Sequence, residues 1–221
     1  MQRLKVYDVP HKGLRNILGQ LSFLAGKTNY NDPQEVEALC SLGRDLFTLL
    51  DVHAADENTV TLTELESRCT GSSKHDMDDH EQLHIVQHRL EQLLQQIHEG
   101  AQSGSDVAAD GAEFYLALSE FQGIYLQHTA EEERITQPLL WKHFTDEELL
   151  GHRGKIMSNL SPQVLLLWFR YSIPAQSPAE RAGLLSGFKR MAPEPFFNQA
   201  MGVIKDALTE QEYSILEKAL A

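Results

Sequence analysis

A regular stripe of core-type residues in the second half of the chain constrains both its fold and its chemistry. Its members recur at alternating spacings of four and three residues: Phe114, Leu118, Phe121, Tyr125, His128, Glu132, Ile135 and Leu139. This spacing is typical of the buried face of one helix. Its polar members, His128 and Glu132, project side by side because they lie four residues apart. A buried carboxylate is costly without a positive partner, so the stripe predicts a bound metal ion.

The same polar pair recurs earlier in the chain. Leu46, Leu50, His53 and Glu57 keep the spacing of the stripe, so His53 and Glu57 also replace apolar residues on a core face. One histidine–glutamate pair on a helix proves little. Two predicted helices with the same departure from an apolar core indicate one site shared between them.

Two further predicted helices carry histidines on their inward faces. His80 and His84 lie four residues apart, close to the face that Leu83 and Leu90 define. His11 lies near the start of the first predicted helix. The other histidines, among them His75, are expected on polar faces, and we expect the flanking glutamate of the second pair, Glu131, in solvent. The predicted metal ligands are His11, His53, Glu57, His80, His84, His128 and Glu132; no separate catalytic or organic-cofactor residue is predicted.

Helix start signals divide the chain into four long helices and several short ones. Pro10 suits the first helix, Asp32 and Pro33 start a second that runs to about residue 66, and Ser73 with Asp76 predicts a capping box for a third over about 76–98. The fourth follows to about residue 144, with an irregularity expected near Pro138. We predict an all-α, up-down-up-down four-helix bundle over residues 1–145. Residues 146–221 are predicted to form short, well-capped helices packed on the bundle as a C-terminal extension.

Composition narrows the class of function. The net charge of −13, from 19 basic and 32 acidic residues, argues against binding to nucleic acid. The longest apolar run, at 164–169, is too short to cross a bilayer, and the first 16 residues lack the apolar core of a secretory signal. Two cysteines at non-motif spacing predict neither a disulfide framework nor a zinc site. We therefore expect a cytoplasmic protein that binds neither nucleic acid nor membranes.

The ordered set of histidines and glutamates resembles the hemerythrin-like (HHE) di-iron proteins. The resemblance covers about residues 8–145, and HAADENTVTLTELE and HTAEEERITQPLLWKHFTDEE look like the two HxxxEE segments of such domains. The helical tail after HFTDEE is most similar to the hemerythrin-like domains of plant iron-sensing ubiquitin ligases. Those ligases also carry cysteine-rich zinc and RING modules. The present sequence has none, so we expect a free-standing relative without ligase activity.

The resemblance implies a non-haem, oxo- or hydroxo-bridged pair of iron ions. Glu57 and Glu132 would each bridge both ions, His80, His84 and His128 would complete one, and His11 and His53 would leave the other with an open position. Dioxygen, peroxide or nitric oxide would bind there. If only one histidine of the third helix binds, both ions have an open position. Oxygen carriers of the family place an aspartate five residues after the last histidine, whereas Glu132 follows His128 after four, as in many sensor and stress-related relatives. This difference argues against reversible oxygen transport and leaves di-iron binding intact.

Three functions stay open at the level of sequence. The first is binding or sensing of dioxygen, a related small molecule, or the iron or redox state of the cell. The second is an enzyme of redox stress that removes peroxide or supports nitric-oxide-linked iron repair. The third is a metal-free helical scaffold that contacts a protein partner, or a second copy, through the aromatic side chains of the C-terminal helices. A ferritin-like oxidase would show carboxylate-rich ExxH motifs instead, and zinc is a weaker rival to iron.

Overall fold

The computed structural model describes residues 3–221, and every regular element in that range is helical. The all-α prediction is therefore confirmed. Two segments of π-helix, π1 and π2, interrupt the α-helices. The order of elements is α1 (Asp8–Lys27), α2 (Pro33–Asp56), π1 (Glu57–Thr61), α3 (Leu62–Arg68), α4 (Lys74–Gln102), α5 (Ala108–Glu131), π2 (Glu132–Thr136), α6 (Gln137–His143), α7 (Asp146–Asn159), α8 (Pro162–Ser172), α9 (Pro178–Met191), α10 (Glu194–Ala207) and α11 (Glu210–Leu220).

These elements group into two compact units. The first contains residues 3–8 and 17–159, and the second contains residues 9–16 and 160–221. The predicted boundary at residue 145 and the predicted packing of the extension on the bundle stay predictions. Within residues 3–221, no helix combines the length and the apolar character that crossing a bilayer requires.

The first unit has the predicted four-helix architecture. Four helical stretches build it: residues 17–27 of α1; the continuous run α2–π1–α3; α4; and the continuous run α5–π2–α6. Helix α4 packs against both α2 and α5. Asp32 starts α2 as predicted, because its carboxylate accepts the backbone N–H of Gln34 at 2.9 Å and Pro33 occupies the first turn. Gly71, with φ of +84°, supplies the left-handed turn between α3 and α4.

The two π-helical segments change the register of the helices that contain them. Each segment begins at a glutamate of the predicted site, Glu57 or Glu132, and each ends at a buried threonine. A π turn holds more residues than an α turn, so residues beyond it rotate relative to the α-helical stripe. Ile135, which the sequence places on the buried stripe, is 54% exposed, and Thr136 and Leu140 take the inward positions instead. The prediction of Ile135 as a core residue was wrong for this reason.

The start of α4 also differs from the sequence prediction. Ser73 does not cap the helix; its hydroxyl donates to Glu66 Oε2 at 2.6 Å. Asp76, the other half of the predicted capping box, is buried and accepts the hydroxyl of Thr136 at 2.6 Å. The carboxylate therefore bonds to the fourth bundle helix rather than to the end of its own helix.

The second unit is a set of short helices with strong N-terminal caps. Ser177 and Thr209 form complete capping boxes with Glu180 and Glu212, as the sequence predicts. Its apolar cluster contains Ile173, Leu185, Ile204 and Leu216. Arg181 is buried and donates to the backbone oxygens of residues 173 and 174 and to Glu212, so its charge is compensated inside the unit.

The aromatic residues of this unit pack largely on one another. The ring of Phe188 lies 4.8 Å from that of Phe169, 5.9 Å from that of Phe196 and 6.1 Å from that of Phe197, between ring centroids. All three partners are half-buried. Part of the aromatic surface that we considered as a binding surface for a protein partner is thus buried in contacts within the unit.

Candidate metal centre

Three stretches of the bundle place the site residues of the first unit. His53 and Glu57 lie at the junction of α2 and π1, His80 lies in the second turn of α4, and His128 and Glu132 lie at the junction of α5 and π2. All five side chains are buried. The two histidine–glutamate pairs and His80 are therefore brought together inside the bundle.

The side chains form two adjacent groups that share one carboxylate. His53, Glu57 and Glu132 offer ligand atoms within 4.8 Å of one another, and so do His80, His128 and Glu132. His53 Nε2 lies 3.3 Å from Glu57 Oε1, and His80 Nε2 lies 3.4 Å from Glu57 Oε2. Glu132 Oε1 lies 3.6 Å from His80 Nε2 and 3.5 Å from His128 Nε2. Glu57 and Glu132 thus each face two imidazoles.

These four contacts, 3.3–3.6 Å long, also suit ligand atoms that share a metal ion. Two ligand atoms that bind one ion at about 2.1 Å are about 3.0 Å apart at a right angle and about 3.4 Å apart at a tetrahedral angle. The spacing of the buried nitrogens and oxygens therefore fits a cation at each group with small adjustments.

Two polar neighbours orient the imidazoles. Asn58 Oδ1 lies 2.8 Å from His80 Nδ1, and because an amide oxygen only accepts, the Nδ1–H of His80 donates to it. Asp79 Oδ2 lies 3.3 Å from His128 Nδ1 and accepts in the same way. Both contacts leave Nε2 pointing at the carboxylates, which is the arrangement that metal-binding histidines usually have.

A second layer of buried polar groups surrounds Glu132. Asp76 lies one turn before His80 on α4, and burial, opposed by the hydrogen bond from Thr136, raises the pKa of its carboxyl. Tyr7 is buried, and burial together with the charges of Glu132, Glu57 and Asp76 raises the pKa of its phenol well above the usual value. The site thus concentrates negative charge that a cation would offset.

The carboxylates also control the protonation of His80. Burial opposes its positive charge, but Glu132 and Glu57 outweigh burial and raise the pKa of the imidazole to about 10. Without a metal ion, His80 is therefore an imidazolium ion at neutral pH and provides positive charge between the two carboxylates. A cation that binds Nε2 must displace this proton.

A small cavity reaches the site. Its volume is about 30 Å³, and it is bounded by the rings of His53, His80 and His128 and by Leu50, Leu83, Phe121 and Tyr125. One water molecule needs about 10–15 Å³ of such volume, so the cavity admits one or two small molecules and no organic substrate of ordinary size.

One predicted ligand, His84, lies outside these groups. The side chain of His84 is 71% exposed, and its Nδ1 lies 3.8 Å from Asp51 Oδ1 at the edge of the cavity. The structure therefore does not bring His84 to Glu57 or Glu132. His11 is completely buried and lies in residues 9–16 of α1, which belong to the second unit.

Sequence reasoning missed four polar residues beside the site: Asn58, Asp76, Asp79 and Thr136. The helical spacing could have predicted the inward position of Asp76, because this residue begins the stripe that His80, Leu83 and Leu90 continue on α4. Asn58 and Thr136 lie within π segments, where the α-helical period does not assign a face. Asp79 precedes His80 in the chain and faces His128 across the pair of helices.

Comparison with known proteins identifies the family. The model of the hemerythrin HHE cation-binding domain matches residues 3–140. The chain belongs to this family. The predicted family is therefore confirmed, and the HHE domain together with the buried histidine–glutamate groups indicates that the protein binds a metal cation. No solved structure matches the chain.

Longer proteins of plants and animals are similar to this HHE chain. A zinc finger protein BRUTUS-like of Arabidopsis thaliana is 28% identical over 188 residues, which cover 83% of this chain and 14% of that protein. F-box/LRR-repeat protein 5 of Bos taurus is 23% identical over 215 residues, covering 87% of this chain and 30% of that protein. The same protein of Danio rerio is 23% identical over 159 residues, with 69% and 22% covered. The chain thus spans less than a third of the length of each.

Proposed function

We propose that this HHE protein holds two iron ions between its bundle helices and uses them to bind or sense dioxygen or a related small molecule. The observation that carries the proposal is the pair of adjacent buried groups that share Glu132. One cation would suffice for either group alone. Two groups with one carboxylate in common favour two ions held side by side, and imidazole with carboxylate suits iron.

The proposed ligands divide between the two ions. His80 and His128 would bind one ion, His53 would bind the other, and Glu57 and Glu132 would contact both. Because His11 is buried and belongs to the histidine set that the resemblance implies, we propose it as a further metal ligand. His84 is not included, since its side chain lies in solvent.

The count of ligands leaves room for a further molecule. Two imidazoles and two carboxylate oxygens supply four of the six positions that octahedral iron prefers. When bound, the iron pair would supply a redox-active centre with positions free for a small molecule. The protein's part is to hold the imidazoles through Asn58 and Asp79 and to limit access by the cavity of about 30 Å³. That volume supports dioxygen, nitric oxide or peroxide rather than a larger substrate.

A redox-stress enzyme is the second candidate, and the position of His84 favours it. Without His84, each ion keeps free positions, so both ions can meet the same small molecule. Free positions on both ions favour peroxide chemistry over reversible carriage. Catalytic removal of peroxide at a rate proportional to iron content would select this candidate over reversible binding.

The deciding measurement is the metal content and the optical spectrum of protein purified in air. We expect about two irons per chain and near-ultraviolet charge-transfer bands, both lost in a His53→Ala/His128→Ala double variant. Circular dichroism of the variant checks that its helices are intact. Wild-type protein that contains no iron and takes up none on reconstitution with ferrous iron would refute the di-iron proposal and leave the helical scaffold.

A further inference from the structure

A second group of metal-ligand side chains lies on the surface of the first unit. His75 and Asp79 share one face of α4, four residues apart, and Glu131 lies at the end of α5, which packs against α4. Their side chains are 60%, 32% and 31% exposed. Each offers one ligand atom, and the three atoms lie within 4.8 Å of one another. None of the three belongs to the ligand set proposed for the buried centre.

We propose that His75, Asp79 and Glu131 form a second, solvent-accessible binding site for a divalent transition-metal cation. His75 Nε2 lies 3.1 Å from Glu131 Oε2 and 3.7 Å from Asp79 Oδ2. Ligand atoms on one cation with bonds of about 2.1 Å are about 3.0–3.4 Å apart, so shifts of a few tenths of an ångström bring these two pairs to that spacing. One imidazole and two carboxylates with a water in the remaining position is an open site of the kind that zinc accepts.

Neighbouring groups hold these ligands in place before any cation binds. Gln127 donates to Glu131 Oε1 at 2.9 Å, so the other oxygen of Glu131 faces His75. Asp79 is held through the oxygen that also faces His75, because its Oδ2 accepts from His128 Nδ1. Two of the three ligands therefore have their positions fixed by contacts outside the group, which lowers the entropy lost on binding.

The shared aspartate couples the surface site to the buried centre. Asp79 Oδ2 contacts His128, a proposed ligand of the buried centre, and is also the oxygen nearest to His75. A cation at the surface would bind the carboxylate oxygen that orients the His128 ring. Occupation of the surface site is therefore expected to alter the buried centre without any contact between the two metals.

An ordinary ion pair is the competing explanation for this group. Glu131 and Asp79 raise the pKa of His75, so a proton competes with a cation for its ring nitrogen. The chain offers a matched comparison on the same helix: the exposed side chain of His88, whose Nδ1 lies 3.6 Å from Glu91 Oε2. That pair provides an imidazole and a carboxylate, and the groups that can hold a metal among residues 3–221 do not include it.

Equilibrium dialysis of the full chain against zinc tests the proposal. The buried centre is first loaded with iron, and bound zinc is then counted in wild type, His75→Ala, Glu131→Gln and the control His88→Ala. We expect one zinc per chain in wild type and in His88→Ala. We expect at least a tenfold weaker affinity in His75→Ala and in Glu131→Gln. No bound zinc in wild type, or equal zinc in all four proteins, overturns the proposal.

A fifth protein separates this site from the proposed iron centre. His53→Ala removes a ligand of the buried centre and leaves His75, Asp79 and Glu131 untouched. We expect it to lose iron and its optical bands and to keep the dialysable zinc. Loss of iron with retention of zinc supports the surface site independently of the proposed iron centre. Loss of the surface zinc in His53→Ala, with its circular dichroism unchanged, would show that the zinc had been bound at the buried centre.

Discussion

Asn58 gives the sharpest test of how the bundle prepares His80 for a metal ion. Its side-chain oxygen accepts the Nδ1–H of His80 at 2.8 Å and so fixes the ring with Nε2 toward Glu57 and Glu132. Removing such an outer partner typically lowers metal affinity about 10- to 100-fold. Asn58→Ala is therefore expected to weaken metal binding by about 1.4–2.8 kcal/mol, because the ring is free to rotate and its N–H loses a partner.

Competition with a chromophoric chelator measures this affinity directly. Thr59→Ala is the matched control, since the Thr59 hydroxyl is exposed and donates to the backbone oxygen of Ala55 at 2.7 Å. Asn58→Asp provides the rescue, because a carboxylate also accepts the N–H and is expected to restore or exceed the wild-type affinity. The reasoning is refuted if Asn58→Ala binds metal like Thr59→Ala while His80→Ala loses binding.

Further tests concern the register beyond Glu132, the bond from Thr136 to Asp76 and the charge of His80. Ile135→Lys should leave the free energy of unfolding within about 0.5 kcal/mol, because Ile135 is exposed. Leu140→Ala should lower that free energy by about 2–5 kcal/mol, because Leu140 is fully buried; similar urea midpoints for the two variants would contradict the shifted register. Thr136→Val should lower the free energy of unfolding by about 1–3 kcal/mol, since the buried carboxylate of Asp76 loses its donor. A Thr136→Val protein that is as stable in urea as the wild type would show that this bond contributes nothing. The pKa of His80, about 10 in the metal-free fold and above its ordinary 6.5, means that its charge stabilises this fold fully below pH 6.5 and that this contribution is lost as pH rises toward 10. Metal affinity should rise about tenfold per pH unit over the same range, because one proton is released from His80. Calorimetry in buffers of different ionisation enthalpy counts that proton. A metal affinity that does not change with pH would show that no proton is released.

The sequence predicts the bundle well because its signals are local and repeated. The cap at Asp32 and the four-three spacing each depend on neighbours within one or two turns. The structure keeps the cap, and it keeps the spacing as far as Glu132. Pairing His53 with Glu57 and His128 with Glu132 needed only the rule that residues four apart on a helix lie side by side. The rule holds here because each pair ends at the first residue of its π segment and does not span the segment.

The features that the sequence did not predict depend on departures from the α-helical period and on contacts between helices. An α-helical stripe carried past Glu132 assigns Ile135 to the core, and the π turn moves it outward. His84 lies next to the buried position of Leu83, and a shift of one residue is enough to turn its ring to solvent. Asp79 contacts His128 at a separation of 49 residues, which no local pattern encodes.

The π segments also affect how this chain is compared with others. A relative that lacks the additional residue in Glu57–Thr61 or Glu132–Thr136 would match this chain only with a one-residue gap inside that segment. An ungapped alignment would pair each residue beyond the segment with one from a different face of the helix. Leu140, a core residue, would then be read against an exposed position. An offset of one residue would therefore lower the apparent identity over α3 and α6, so the alignment of these two helices has to begin from the glutamates.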